Sequence, residues 1–231
     1  MRKDVLDTMN RVYHTGLTST SGGNISAMDD EGNIFITPSG KDKGTLVEED
    51  IVKVLSDGKK IGIYPPSIEL PFHTNIYKLR KDIKAVVHAH APAIVAYAIT
   101  RAVPDSKVAR CYEDVLGEIV GSRYDIPGSL HLGDILKDEF SKGFNAVMMD
   151  NHGATVADAT LSDAFKRYET LEWLCQTLIN AKMLGGYKLP EKRVELIQIS
   201  TKVDESIDDI KYSEKKNEIV EFCHRSYDNK L

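Results

Sequence analysis

An apolar run, Ala85-Val86-Val87, leads directly into His88-Ala89-His90, and that combination constrains the fold more than any other stretch of the chain. Short, apolar and rich in β-branched residues, the run reads as a buried strand. Side chains two positions apart on a strand project to one face, so His88 and His90 stand together, placed to share one divalent metal ion. Core histidines are also commonly satisfied by ordinary hydrogen bonds, so the pair alone does not define a metal site. A catalytic zinc takes three protein ligands and keeps a position open. His152, in Asp150-Asn151-His152-Gly153, is the candidate third ligand. It falls in a turn between apolar strands predicted over 146–149 and 154–157, with the glycine expected to allow the tight reversal.

Composition narrows the partners. The 231 residues are 42% hydrophobic and hold no low-complexity tract, enough for one sizeable core. No apolar run approaches the roughly 18 residues that a bilayer span needs. Met1-Arg2-Lys3-Asp4 opens an amphipathic pattern rather than a signal-peptide core, so no membrane partner and a cytoplasmic location are expected. Cys111, Cys175 and Cys223 stand at unrelated spacings, which fits a reducing compartment and offers no Cys-x-x-Cys cluster. Any metal must therefore use histidine and carboxylate. The net charge of -5, with no basic stripe, argues against a nucleic-acid partner.

Along the chain, Val5, Leu6, Met9, Val12, Tyr13 and Leu17 recur at helical spacing and stop near Gly16. The segment from Thr18 to Asn24, with Gly22-Gly23 inside it, can either bring backbone N–H groups to an anion or serve as a plain connection. A strand follows over 32–37, closed by Pro38-Ser39-Gly40. After Pro65-Pro66, a helix is predicted to start at Ser67 as N-cap, with Pro71 tolerated in its first turn. Glu69, His73 and Tyr77 then lie four apart on one stripe. A glutamate at a helix start is commonly no more than a favourable charge, and His73 reads as a hydrogen-bonded support rather than a ligand. Thr160-x-x-Asp163 starts a long core helix that runs to Gly185-Gly186. Beyond Pro190 the chain is more charged, and a last helix is expected around 219–223. The expected organisation is one domain over 1–186 and an extension over 187–231 that packs on it or on a neighbouring subunit.

Together the pieces carry a resemblance. Ser21-Gly22-Gly23-Asn24-Ile25-Ser26, Thr37-Pro38-Ser39-Gly40, Ser67-x-Glu69-x-x-x-His73, Val86-Val87-His88-Ala89-His90 and Asn151-His152-Gly153 occur in the order and at the spacings of the class II aldolase/adducin family, and the match runs from the first helix to Gly186. The resemblance implies an α/β fold, a three-layer α/β/α sandwich around a central, largely antiparallel sheet, assembled as a homotetramer with sites at subunit interfaces. It implies one zinc ion per subunit on His88, His90 and His152, with Glu69 as fourth ligand at rest and acid/base in turnover. Asn24, Ser39, Gly40 and Ser67 would line the pocket for a substrate phosphate. Tyr112, reaching a neighbouring subunit's site, would protonate the aldehyde oxygen. The implied reaction is reversible cleavage of a ketose 1-phosphate to dihydroxyacetone phosphate and an aldehyde.

One departure stands out, since the family's aldolases have two adjacent serines before the glutamate and this chain has Ser67-Ile68, one hydroxyl fewer at the anion pocket. Other family reactions use a similar metal shell: dehydration of methylthioribulose 1-phosphate, decarboxylation of keto acid phosphates and epimerisation of a pentulose phosphate. The epimerases carry aspartate where Glu69 stands. The non-catalytic adducin head lacks the metal histidines, and a structural zinc site would favour four closed ligands with cysteine among them.

Overall fold

Residues 1–189 are described by a computed structural model, and the helix expected around 219–223 lies outside them. The elements in order are α1 (Arg2–His14), β1 (Asn24–Met28), β2 (Ile34–Ile36), β3 (Val52–Val54), β4 (Lys60–Ile61), α2 (Leu70–Leu79), β5 (Ala85–Ala89), α3 (Pro92–Thr100), α4 (Arg110–Leu116), β6 (Ile119–Ser122), α5 (Leu130–Ser141), β7 (Ala146–Met149), β8 (Gly153–Asp158) and α6 (Leu161–Met183).

The apolar run that ends in histidines becomes β5, in the middle of the sheet, whose order is β4-β3-β2-β1-β5-β8-β7-β6. Every neighbouring pair is antiparallel except β6 with β7. Alternation along β5 divides its residues between two cores: Ala85, Val87 and Ala89 pack with residues of α1, α3, α4 and α6, whereas Val86 packs with residues of α2 and α5. Helices therefore cover both faces, giving the three-layer α/β/α sandwich with a largely antiparallel sheet. All five residues of β5 are buried, as a strand covered on both sides requires. Each of the two fully buried valines there, Val86 and Val87, contributes roughly 1.5–3 kcal/mol relative to exposure. No helix among the described residues is long and apolar enough to cross a membrane.

The helix predicted with Ser67 as its N-cap begins two residues later. Leu70 is the first residue of α2 and Glu69 its N-cap residue. Ser67 instead closes the preceding turn: its hydroxyl accepts from Glu69 N–H at 3.3 Å, and its carbonyl accepts from Leu70 N–H at 3.1 Å. Glu69 has non-helical φ and ψ and makes no side-chain capping bond of its own, which leaves the carboxylate free to turn inward. Glu69, His73 and Tyr77 nonetheless share one buried face. They meet β1, where Asn24 and Ser26, two apart, project to the same side. The antiparallel register sets Asn24 opposite His88 and Ser26 opposite Val86.

Candidate metal centre and active site

His88 is fully buried on β5. Its Nδ1 donates to the Ala154 carbonyl on β8 at 3.0 Å, so the Nε2 lone pair is the one that faces the site. His90 follows the last residue of the strand, and its Nε2 lies 3.0 Å from His88 Nε2. His152 comes from the β7–β8 turn, with ring centroids 4.8 Å from His88 and 4.9 Å from His90. One donor atom from each of the three rings falls within 4.8 Å of the others.

Glycines make this convergence possible, though not in the way the sequence suggests. In the β7–β8 turn the left-handed residue is Asn151, with φ 54°, a conformation that asparagine tolerates. Gly153 supplies space instead: a Cβ there would lie 2.5 Å from the Ala89 carbonyl oxygen and 3.0 Å from His90 Cδ2. The segment from Thr18 to Asn24 is likewise more than a surface connection. A Cβ on Gly22 would lie 2.9 Å from His90 Nδ1, and one on Gly23 would lie 2.7 Å from the His88 carbonyl oxygen.

The Glu69 carboxylate, 5% exposed, completes the cluster. Its Oε2 lies 3.1 Å from His88 Nε2 and its Oε1 3.6 Å from His152 Nε2. Asn24 Nδ2 donates to Oε2 at 2.7 Å, whereas Oε1 is buried with no hydrogen-bond partner. Burial pushes the carboxyl up to about 7, and the Asn24 donor offsets part of that rise. Desolvation also pushes His152 down to about 4, helped by nearby His90, lowers His90 and holds His88 well below the usual imidazole range. Neutral imidazoles are the form that binds a metal.

These residues fit a divalent ion. Tetrahedral ligation at bond lengths of ~2.0–2.1 Å separates neighbouring nitrogens by ~3.3 Å, close to the His88–His90 spacing. The orphaned Glu69 Oε1 is a fourth donor in need of a partner. Three neutral nitrogens with one carboxylate, and no thiolate in the cluster, is the donor set of a catalytic site rather than a closed structural one.

Three supporting residues escape a reading of the sequence. Glu172 on α6 is 2% exposed; its carboxylate accepts from Ala93 and Ile94 N–H at 3.1 and 2.9 Å. Tyr168, one turn earlier, accepts from Ala91 N–H at 3.3 Å. Together they hold the start of α3, the segment that immediately follows His90. The only sequence signal is a glutamate on the apolar stripe of α6. Lys43 is 3% exposed and donates to the carbonyls of Pro38 and Lys41 at 3.2 and 3.3 Å, which places a cation within the turn that carries Ser39 and Gly40. Desolvation lowers its pKa.

The residues expected at an anion pocket come partly together. Pro38 bridges to Pro66, Ser39 N–H donates to Pro65 O at 3.0 Å and Ser67 N–H to Thr37 O at 3.1 Å, so Ser39 and Ser67 share one corner. Gly40 sits at the exposed edge of that corner, with φ 69°. The Asn24 side chain turns to Glu69 and His73. The N–H groups at the start of α2 are not open to an anion: Pro71 has none, and those of Glu69, Leu70 and Phe72 are engaged by Ser67 Oγ, Ser67 O and Glu69 O. Ile68 is 61% exposed and lies over Gly128. Tyr112 lies on α4, its ring against the core beneath α6 and its hydroxyl 2.9 Å from Thr177 Oγ1.

A buried cluster of neutral imidazoles and one carboxylate, held at the end of a central strand in an α/β/α sandwich, defines a metal-dependent enzyme. The chain belongs to the class II aldolase/adducin family: residues 3–179 match the Class II Aldolase and Adducin N-terminal domain. It is similar to 5-deoxy-D-ribulose 1-phosphate aldolase from Bacillus thuringiensis serovar kurstaki, at 30% identity over 84% of this chain and 92% of the relative. It is also similar to 3-oxo-tetronate 4-phosphate decarboxylase from Escherichia coli, at 28% identity over 74% of this chain and 82% of the relative. Among solved structures, an L-fuculose 1-phosphate aldolase superposes with a TM-score of 0.75 at 29% identity, covering 85% of this chain and 93% of that one.

Proposed function

We propose that the protein is a zinc-dependent aldehyde-lyase that reversibly cleaves a ketose 1-phosphate, of the kind typified by L-fuculose 1-phosphate, to dihydroxyacetone phosphate and an aldehyde. The observation that carries this reading is the convergence of His88, His90 and His152 on a Glu69 carboxylate with one oxygen uncommitted. A relative whose name specifies a ketose 1-phosphate supports the substrate class, and the decarboxylase relative supports a phosphorylated sugar derivative more broadly.

Held by the three imidazoles, a divalent ion would supply Lewis-acid stabilisation of the negative charge that carbon–carbon cleavage leaves on the three-carbon fragment. The other steps fall to residues of the chain. The bond between C3 and C4 breaks as the C4 hydroxyl becomes the aldehyde carbonyl and releases its proton. In cleavage that proton passes through the Tyr112 hydroxyl of a neighbouring subunit, which releases its own proton to solvent, and in the reverse direction the same hydroxyl protonates the aldehyde oxygen and regains a proton from solvent. Glu69 in its acid form returns a proton to C3 of the enediolate, and in the reverse direction its carboxylate removes it. A carboxyl pushed up to about 7 is populated in both forms near neutral pH, which suits a group that must act as acid and base in turn. Ser39, Gly40, Ser67 and the remaining Asn24 amide hydrogen bind the phosphate, with the Lys43 cation behind them compensating for the hydroxyl that Ile68 lacks. The enzyme works as a homotetramer in the cytoplasm.

Incubation of the purified, zinc-loaded protein with dihydroxyacetone phosphate and a panel of small aldehydes, read by mass spectrometry, is expected to give an adduct with the mass of a ketose 1-phosphate. No adduct with any aldehyde, together with no hydrogen exchange into dihydroxyacetone phosphate from deuterated water, would contradict the aldolase reading.

A further inference from the structure

We propose that His73 is a positioning residue that decides which oxygen of Glu69 reacts, by locking the Asn24 amide through a hydrogen-bond chain that runs in one direction. The chain links Tyr77 Oη to Ser26 Oγ at 2.7 Å, Ser26 Oγ to His73 Nδ1 at 2.7 Å, His73 Nε2 to Asn24 Oδ1 at 2.5 Å and Asn24 Nδ2 to Glu69 Oε2 at 2.7 Å. Each link fixes the next. An amide whose Nδ2 donates to the carboxylate presents its Oδ1 to His73, and a carbonyl oxygen only accepts, so His73 Nε2 carries the hydrogen. The ring is completely buried, its two nitrogens bond to Ser26 and Asn24 rather than to a carboxylate, and desolvation holds it neutral, down to about 3. Its Nδ1 therefore keeps a lone pair and accepts from the Ser26 hydroxyl. Ser26 has then spent its one hydrogen, so Tyr77 donates to Ser26.

The consequence is asymmetry at the carboxylate. Oε2 is occupied by the Asn24 donor, while Oε1 is buried and unpartnered, so Oε1 is the oxygen left for an ion or a transferable proton. Reversal of the chain would turn the amide carbonyl toward Glu69, place two acceptors face to face and demand a proton on Oε2. The geometry also explains why a fully buried histidine stands beside the three-histidine cluster without joining it: both of its nitrogens are already engaged, pointing along the chain. Stacking on Phe72, with centroids 4.5 Å apart, fixes the ring plane.

This inference rests on the reading of Glu69 as the acid/base, so its test includes measurements that need no turnover. In metal-free protein labelled with [15N]histidine, His73 is expected as the Nε2–H tautomer; an Nδ1–H tautomer overturns the proposal. His73→Gln keeps a donor near the Nε2 position, and His73→Asn keeps only a group near Nδ1. His73→Asn is expected to lower kcat for hydrogen exchange into dihydroxyacetone phosphate and zinc affinity by about tenfold or more, with KM little changed. His73→Gln is expected to stay within about threefold of the parent in both, a difference small against the ~10–100-fold range of supporting-residue losses. Equal losses in the two variants overturn the proposal. Parent protein that exchanges no hydrogen sinks the acid/base role of Glu69 instead, and the tautomer and the two zinc affinities then decide the positioning role on their own.

Discussion

Glu69→Gln is expected to slow hydrogen exchange into dihydroxyacetone phosphate by about a hundredfold to ten-thousandfold, the usual range for loss of a general acid or base, while zinc content stays near one ion per chain. The substitution removes the proton-carrying capacity and the carboxylate ligand at the Oε1 position, and leaves the rest of the site in place. A glutamine carbonyl in the place of Oε2 still accepts from Asn24 Nδ2, now 2.7 Å from that oxygen, and the three imidazoles that hold the ion are untouched. Burial also removes the alternative that bulk water substitutes for the missing group, since the side chain is only 5% exposed. Isotope exchange followed by NMR, with metal measured on the same samples, separates the two effects. Undiminished exchange at full metal content would remove Glu69 from its role, whereas a parallel loss of metal and exchange would make it chiefly a ligand.

The second large effect is expected from a single methyl group. Gly153→Ala places a Cβ 2.5 Å from the Ala89 carbonyl oxygen and 3.0 Å from His90 Cδ2. The first contact is backbone in the central strand and cannot rotate away. Gly153 does not have a positive φ, so the penalty comes from overlap alone, about 1–3 kcal/mol for overpacking a dense interior. The only relief is to separate the ends of β5 and β8, and that movement draws His90 away from His152. A zinc affinity lowered by about tenfold to a hundredfold, the range seen when supporting structure around a metal is disturbed, should accompany the lower melting temperature. Unchanged affinity in a destabilised variant would show that the turn is not what sets the spacing of the rings.

The periodic parts of this fold were the legible ones. Alternation put His88 with Val86 on one face of β5, and the 3.6-residue pattern of α1 and α6 placed both helices close to their observed bounds. Helix α3 was not read because Pro92–Thr100 is apolar almost all round and lacks a polar face to set a phase. Strands β3 and β4, with three and two residues, are too short to show a period. The start of α2 shifted because the Ser67 hydroxyl serves a turn rather than the helix, a choice between two local hydrogen bonds that the residue types leave open. At the site, the cluster could be assembled from histidine spacing and the family resemblance. What His73 bonds to could not, because its partners on β1 lie 47 and 49 positions away and meet it only through the packing of α2 on that strand. Lys43 shows the same limit in reverse, as a lysine in a polar turn that looks solvated and proves 3% exposed.

X-ray absorption at the zinc edge, on protein loaded with one equivalent of zinc, bears most directly on the central claim that His88, His90 and His152 share one ion. The account predicts a first shell of three imidazole nitrogens at ~2.0–2.1 Å with an oxygen ligand beside them, and loss of one imidazole in His152→Ala. A shell with fewer than three imidazoles in the parent protein, or one that His152→Ala leaves unaltered, would contradict it.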